Sequence, residues 1–258
     1  MPQTKIVFFD IDGTLIDMQA KKITPKMLET LHRLQDRGIK ICIATGRSPM
    51  VLPKIDGVAF DAYLTFNGSL CYDRKGVIFS NPIPHKDVVR FIQNAAALGR
   101  PVCVSTRDRL AANGTDTDLT DYFAIANENV PIVDNFDAMC EEDIYQLMLG
   151  CRPKDYPALL DGAPGAKIAA WWDRAVDVIP AGGGKGIGIE KTLAYYGLDK
   201  AEALAFGDGN NDREMLLAVG TGVAMENGSP ELKALADEIC GPVYEDGIYH
   251  YCTSKGLI

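Results

Sequence analysis

Two carboxylates stand two residues apart in Phe8-Phe9-Asp10-Ile11-Asp12-Gly13-Thr14-Leu15, straight after the apolar run Ile6-Val7-Phe8-Phe9. Acids held this close can divide their work, one as nucleophile or metal ligand and the other as proton donor. Gly13 eases a sharp turn just after them, because glycine adopts positive φ. The pattern also suits an ordinary turn, since Asp and Gly are turn formers. A calcium loop fits poorly. It needs an acid or amide two residues further on and a glutamate at its twelfth position, where this chain has Thr14 and Lys21.

Three later segments carry complementary chemistry. Lys40-Ile41-Cys42-Ile43-Ala44 is a second apolar run, and it ends in Thr45-Gly46-Arg47. A hydroxyl, nearby backbone N–H groups and a guanidinium suit an oxyanion; Thr45 could equally cap the next segment of a plain strand-to-helix turn. Gly182-Gly183-Gly184-Lys185-Gly186-Ile187-Gly188 offers a lysine among glycines. Such glycines let backbone approach a ligand, and the lysine is a point charge for phosphate. It is not a nucleotide P-loop, since Gly186 stands where Ser or Thr is required, and it fits the dinucleotide fingerprint poorly. A flexible loop with a solvated lysine is the alternative. Finally, Ala203-Leu204-Ala205-Phe206 runs into Gly207-Asp208-Gly209-Asn210-Asn211-Asp212. Arg213 and Val219 stand where a calcium loop wants Gly and Glu, so a smaller, harder ion held by few carboxylates and waters fits better, which means magnesium.

Taken in order, these segments resemble the signature set of the haloacid dehalogenase-like hydrolase superfamily. Asp10-Ile11-Asp12-Gly13-Thr14-Leu15 matches its first motif, Thr45 the second, Lys185 the third, and Gly207-Asp208-x-x-Asn211-Asp212 the fourth. Ala44-Thr45-Gly46-Arg47 and Asn67-Gly68 are similar to the Cof-type sugar-phosphatase branch. The resemblance implies a magnesium-dependent phosphomonoester hydrolase acting on a small phosphorylated metabolite of the sugar-phosphate kind. Asp10 is then the nucleophile that forms an aspartyl-phosphate, and Asp12 the general acid and base. Magnesium is held by Asp10, Asp208 and the main-chain carbonyl of Asp12, with Asp212 a nearby supporting acid. Thr45, Gly46, Lys185 and Asn211 bind phosphate, and Arg47 and Asn67 are candidates for substrate contact. Two alternatives stay open: a phosphomutase of the same superfamily, and a phosphometabolite-binding regulator without turnover.

The elements that must position these residues are legible in outline. Short apolar runs read as buried parallel strands, and open parallel sheets bind ligands at the carboxyl ends of their strands. Between the first two runs, Thr24 is a plausible N-cap and Pro25 a first helical residue; Met27, Leu28, Leu31 and Leu34 share a face and Gly38 stops the helix. Leu70-Cys71-Tyr72 and Val77-Ile78-Phe79 flank a hairpin turn. The expected fold is α/β: a Rossmann-like parallel-sheet core of residues 1–82 and 180–258, with an inserted α+β cap domain at 83–179. Hinges are expected near Asn81–Pro84 and Ile179–Gly184. Within the insertion a helix is expected from His85 to Leu98, with strands at Val102–Val104, Tyr145–Leu149 and Lys167–Trp172. Adjacent in a strand, Trp171 and Trp172 would face opposite sides. Arg107, Asp108 and Arg109 read as an exposed charged loop.

Composition bounds the rest. The chain has 258 residues with a net charge of −9, and 47% of them are hydrophobic. That is ordinary globular composition, and the negative charge argues against nucleic acid as a partner, which needs a basic footprint. The seven cysteines lack Cys-x-x-Cys spacing, and several fall in apolar runs, as core thiols do in the reducing cytosol. The three histidines lack ligand spacing. No signal peptide or membrane-spanning run is evident, so a cytoplasmic protein is expected, with no internal repeat and an oligomeric state left open.

Overall fold

The computed structural model describes residues 3–125, 127–170 and 172–258. The chain forms two compact units. One holds the residues up to Gly46, Pro53–Ser80 and Gly184–Ile258; the other holds Arg47–Leu52 and Asn81–Gly183.

The first unit opens with β1 (Ile6–Phe9), which is buried throughout. Helix α1 (Pro25–Asp36) leads back to β2 (Lys40–Ala44), followed by β3 (Ala62–Thr65). Then β4 (Leu70–Asp73) and β5 (Gly76–Ser80) pair as an antiparallel hairpin. Helix α1 starts where the residue types direct: Thr24 accepts from the Met27 N–H at 3.1 Å, and Pro25 occupies the first turn. Met27, Leu31 and Leu34 face inward as expected. Leu28 is only half-buried, and Thr30 takes the fourth inward place. Its hydroxyl donates to Lys26 O at 2.8 Å, which keeps a buried oxygen satisfied.

The second unit carries α2 (His85–Ala97), β6 (Cys103–Ser105), β7 (Leu110–Ala112), α3 (Thr117–Ile125), α4 (Phe136–Met139), β8 (Gln146–Gly150), α5 (Tyr156–Leu159), β9 (Ala166–Ala169) and β10 (Ala175–Pro180). Its sheet has the order β7-β6-β8-β10-β9 and is antiparallel throughout. Arg107, Asp108 and Arg109 are exposed in the turn between β6 and β7. The strand expected over Lys167–Trp172 ends at Ala169, so Trp172 lies beyond it in a bend, with the Arg174 guanidinium 4.5 Å from its ring centre. Trp171 lies outside the described residues. Ile179 and Pro180 close β10, paired with Lys167 and Ala166, so the chain leaves this unit only after Pro180.

The first unit then resumes with α6 (Lys185–Tyr196), β11 (Ala203–Gly207), α7 (Arg213–Leu217), β12 (Thr221–Met225), α8 (Pro230–Lys233), β13 (Glu238–Cys240) and α9 (Gly247–Ser254). Its eight strands lie in the order β13-β12-β11-β1-β2-β3-β4-β5, parallel from β13 to β3. Both faces are covered, as parallel sheets require. Ile6, Phe8, Cys42 and Ala205 pack with Ile189, Met215 and Leu232 from the helices on one face. On the other face Phe9 stacks on Phe206 at 5.5 Å, and Phe206 meets the edge of Tyr251 from α9 at 5.3 Å. All seven cysteines are unbridged and buried. Among the described residues no helix is long and apolar enough to cross a membrane.

Thr24 ties the two helices of that second face together, because its hydroxyl also donates to Asp246, the residue before α9, at 2.5 Å. We expect Thr24→Ala to lower the unfolding free energy by about 1–2 kcal/mol, the usual range for a lost N-cap, and Thr24→Ser to keep most of it. A urea midpoint that falls for alanine with an unchanged slope is the measurement; equal midpoints for alanine and parent would contradict the cap.

Candidate active site

Strand order reverses between β1 and β11. The chain moves from β1 to β2 and β3 on one side, and from β11 to β12 and β13 on the other. Crevices for ligands open at the carboxyl ends of strands where the order switches in this way. Asp10 is the first residue after β1, Asp208 the first after β11, and Thr45 the first after β2. Phe9 pairs in register with both Phe206 and Ile43, and Asp10 N–H donates to Phe206 O at 3.0 Å. Continuing that register sets Asp10 opposite Gly207 and Ala44, so Asp208 and Thr45 follow within one residue of its level.

Lys185 closes the arrangement. It is the first residue of α6, its side chain is fully buried, and its Nζ lies 2.6 Å from both Asp10 Oδ1 and Asp212 Oδ1. The solvated-lysine reading is therefore wrong. The glycines around it also do other work than the sequence suggested. Two of them admit backbone: a Cβ at Gly186 would stand 2.7 Å from Glu214 O, and one at Gly188 would stand 2.9 Å from the Gly68 Cα.

Asp212 has both oxygens committed. Oδ1 takes the lysine, and Oδ2 accepts from the N–H groups of Asp208 and Gly209, each at 3.0 Å. It fixes the loop that carries Asp208. Asp208 Oδ1 in turn accepts from Thr14 Oγ1 at 3.1 Å. Gly13, with φ +85°, lies under the other oxygen: a Cβ there would be 2.2 Å from Asp208 Oδ2. Positive φ was expected at Gly13; the close approach of a second motif was not. Two supporting residues escaped the sequence reading. Thr14 sat inside the first motif without a role. Asn227 donates to Gly13 O at 2.8 Å and accepts from Val243 N–H at 2.9 Å, and nothing in its local sequence signalled this.

The electrostatics follow from three acids sharing one cation. Asp10, Asp208 and Asp212 each offer an oxygen within 4.8 Å of the others. Burial raises the Asp10 carboxyl well above its usual range; Lys185 opposes this, while Asp212 and Asp208 reinforce it. Asp208 is pushed up to about 7, by burial first and by Asp212 second. Burial alone would lower Lys185, but Asp10 and Asp212 outweigh it and hold the ammonium charged. A converging set of carboxylates with more negative than positive charge fits a hard divalent cation such as magnesium.

The remaining expected residues fall as follows. Asp12 is half-buried in the loop after β1, opposite Ile16. Thr45 is buried and its N–H donates to Leu64 O at 2.8 Å. Gly46 lies against the Asn67 amide, which also accepts from Asn211 Nδ2 at 3.3 Å. Arg47 groups with the second unit, where its Nη1 donates to Val51 O at 3.0 Å. His85 places Nδ1 3.1 Å from Cys140 O, a structural contact.

Known proteins resemble the chain over nearly its whole length. The chain matches the haloacid dehalogenase-like hydrolase family over residues 7–252. It is 34% identical to YkrA of Bacillus subtilis (strain 168), which bears a provisional phosphatase name, over 99% of both chains. It is 28% identical to YitU of the same organism, a 5-amino-6-(5-phospho-D-ribitylamino)uracil phosphatase, over 95% of both. A solved phosphatase of the haloalkanoate superfamily from Bacteroides thetaiotaomicron, BT1666, is 30% identical with a TM-score of 0.93, covering 99% of this chain and 96% of that one. The subclass IIB sugar phosphatase BT4131 is 28% identical with a TM-score of 0.88, covering 99% and 100%.

Asp208 makes stability depend on pH when no cation is bound. Its carboxyl rises from 3.8 to about 7 on folding, so between those values the folded chain holds a proton that the unfolded chain has released. That contribution is present in acid and is lost as pH rises through about 7. We expect chelated protein to lose more stability between pH 5 and pH 8 than its Asp208→Asn variant, which lacks the titration. Thermal melts at both pH values test this; identical losses would refute it.

Proposed function

We propose that this chain, which belongs to the haloacid dehalogenase-like hydrolase family and is a phosphatase, is a magnesium-dependent phosphomonoester hydrolase that works through an aspartyl-phosphate on Asp10. The observation that carries this reading is the buried Asp10 carboxylate. It follows the central strand and one oxygen is held by Lys185 at 2.6 Å; among the described residues no hydrogen bond goes to the other. One oxygen is oriented and the second is left for attack on phosphorus.

Asp12, half-buried in the same turn, protonates the leaving oxygen and then deprotonates the water that hydrolyses the acyl phosphate. Lys185, Thr45, Gly46 N–H and Asn211 receive the non-bridging oxygens, so positioned charge and donors supply most of the acceleration. Magnesium, when held by Asp10, Asp208 and the Asp12 carbonyl with Asp212 behind them, supplies the positive charge that lets an anionic ester approach an anionic nucleophile. Asp212 keeps Lys185 protonated and aimed at Asp10. We assign choice of leaving group to the inserted second unit, with Arg47 and Asn67 as further candidates for substrate contact.

A small phosphorylated metabolite of the sugar-phosphate kind is the substrate class. The relatives described as a sugar phosphatase and as a phosphoribityl-compound phosphatase support it. Seven buried, unbridged cysteines suit a reducing compartment, so we place the protein in the cytoplasm.

A panel of phosphomonoesters, assayed for released phosphate with and without magnesium, tests the function. We expect chelation to abolish release, and magnesium to restore it better than calcium, whose looser coordination spoils alignment. Asp10→Asn should cost at least about a thousandfold, roughly 4 kcal/mol of barrier. Activity within tenfold of the parent would remove Asp10 from the nucleophile's role.

A further inference from the structure

Phe66, Asn67 and Gly68 have φ values of +51°, +52° and +84°. Left-handed residues normally occur singly, and a buried phenylalanine in that region is an outlier. Such strain persists only where the surroundings over-determine it, and it gathers at functional sites. Here the surroundings are the segments that the proposed mechanism assigns to phosphate. Asn67 N–H donates to Thr45 O at 2.9 Å. Its side-chain amide covers Gly46, where a Cβ would lie 3.3 Å from both Nδ2 and Oδ1. Its Oδ1 accepts from Asn211 Nδ2 at 3.3 Å. Gly68 meets the start of α6 so closely that a Cβ would stand 2.6 Å from Gly184 O and 3.2 Å from the Lys185 Cα.

We propose that this strained turn is the template that spaces the oxyanion donors, and that Asn67 is a positioning residue acting through Asn211. An amide nitrogen carries two hydrogens. With one held on Asn67 Oδ1, rotation of the Asn211 amide is restrained and its second hydrogen is left for a phosphate oxygen. This rests on the phosphatase reading above and differs from a substrate contact by Asn67 itself.

A double-mutant cycle read by phosphate binding separates the possibilities. Inorganic phosphate is titrated calorimetrically into the full chain with magnesium, for the parent, Asn67→Gly, Asn211→Ala and the double variant. Glycine retains positive φ without the amide, so its melting temperature should stay near the parent's, whereas Asn67→Ala should melt lower. We expect Asn67→Gly to weaken phosphate binding roughly tenfold, within the coupling range for contacting residues. On the Asn211→Ala background the same change should add nothing beyond about twofold. If the glycine variant is insoluble, Asn67→Ser runs the same cycle. Losses that multiply, or a glycine variant that binds like the parent, would overturn the inference alone. A parent that neither binds phosphate nor releases it from any ester would overturn the phosphatase reading, and this inference with it.

Discussion

The buried ammonium of Lys185 holds the site together. Without it Asp10 and Asp212 would be two uncompensated buried carboxylates, an arrangement that costs about 3–5 kcal/mol when one partner of a buried pair is removed. The lysine reaches them only because α6 begins where it does, and α6 begins there only because Gly186 and Gly188 let it press against Glu214 and Gly68. Asp212 then spends its second oxygen on two backbone N–H groups, so the same charge pair shapes the loop that presents Asp208.

This dependence explains why the acids are built on different strands. Positions that share a face of one strand stand roughly 6–7 Å apart, whereas neighbouring strands lie about 4.8 Å apart. β1 and β11 pair residue for residue from Ile6 and Ala203 to Phe9 and Phe206. Asp10 and Asp208 therefore leave neighbouring strands within one residue of the same level, above the stacked rings of Phe9 and Phe206.

Much of this was legible in the residues. The strand ends, the α1 cap and face, and the acids at Asp208 and Asp212 each follow from local rules, and all describe neighbours in sequence. What could not be read were contacts between segments far apart. Gly13 looked like a turn residue, yet its missing side chain makes room for Asp208. Among the glycines around Lys185, Gly186 and Gly188 also let α6 sit against Glu214 and Gly68. Asn227 has no motif at all and is recognised only by the loop it ties down. The run through Trp172 read as strand from composition, but the sheet partner ends at Ala169.

The sheet order also constrains synthesis. β1 is made first, but its neighbour β11 lies beyond the whole second unit, and the salt bridge that completes the site joins residues 175 apart. At about 5–20 residues per second, the growing chain waits roughly 10–35 seconds before Lys185 can meet Asp10. Through that interval one long side of β1 offers unpaired backbone and apolar side chains, the surface through which sheets pair with the wrong partner. Until β11 is made, the strand that leads into Asp10 keeps one sheet edge unpaired.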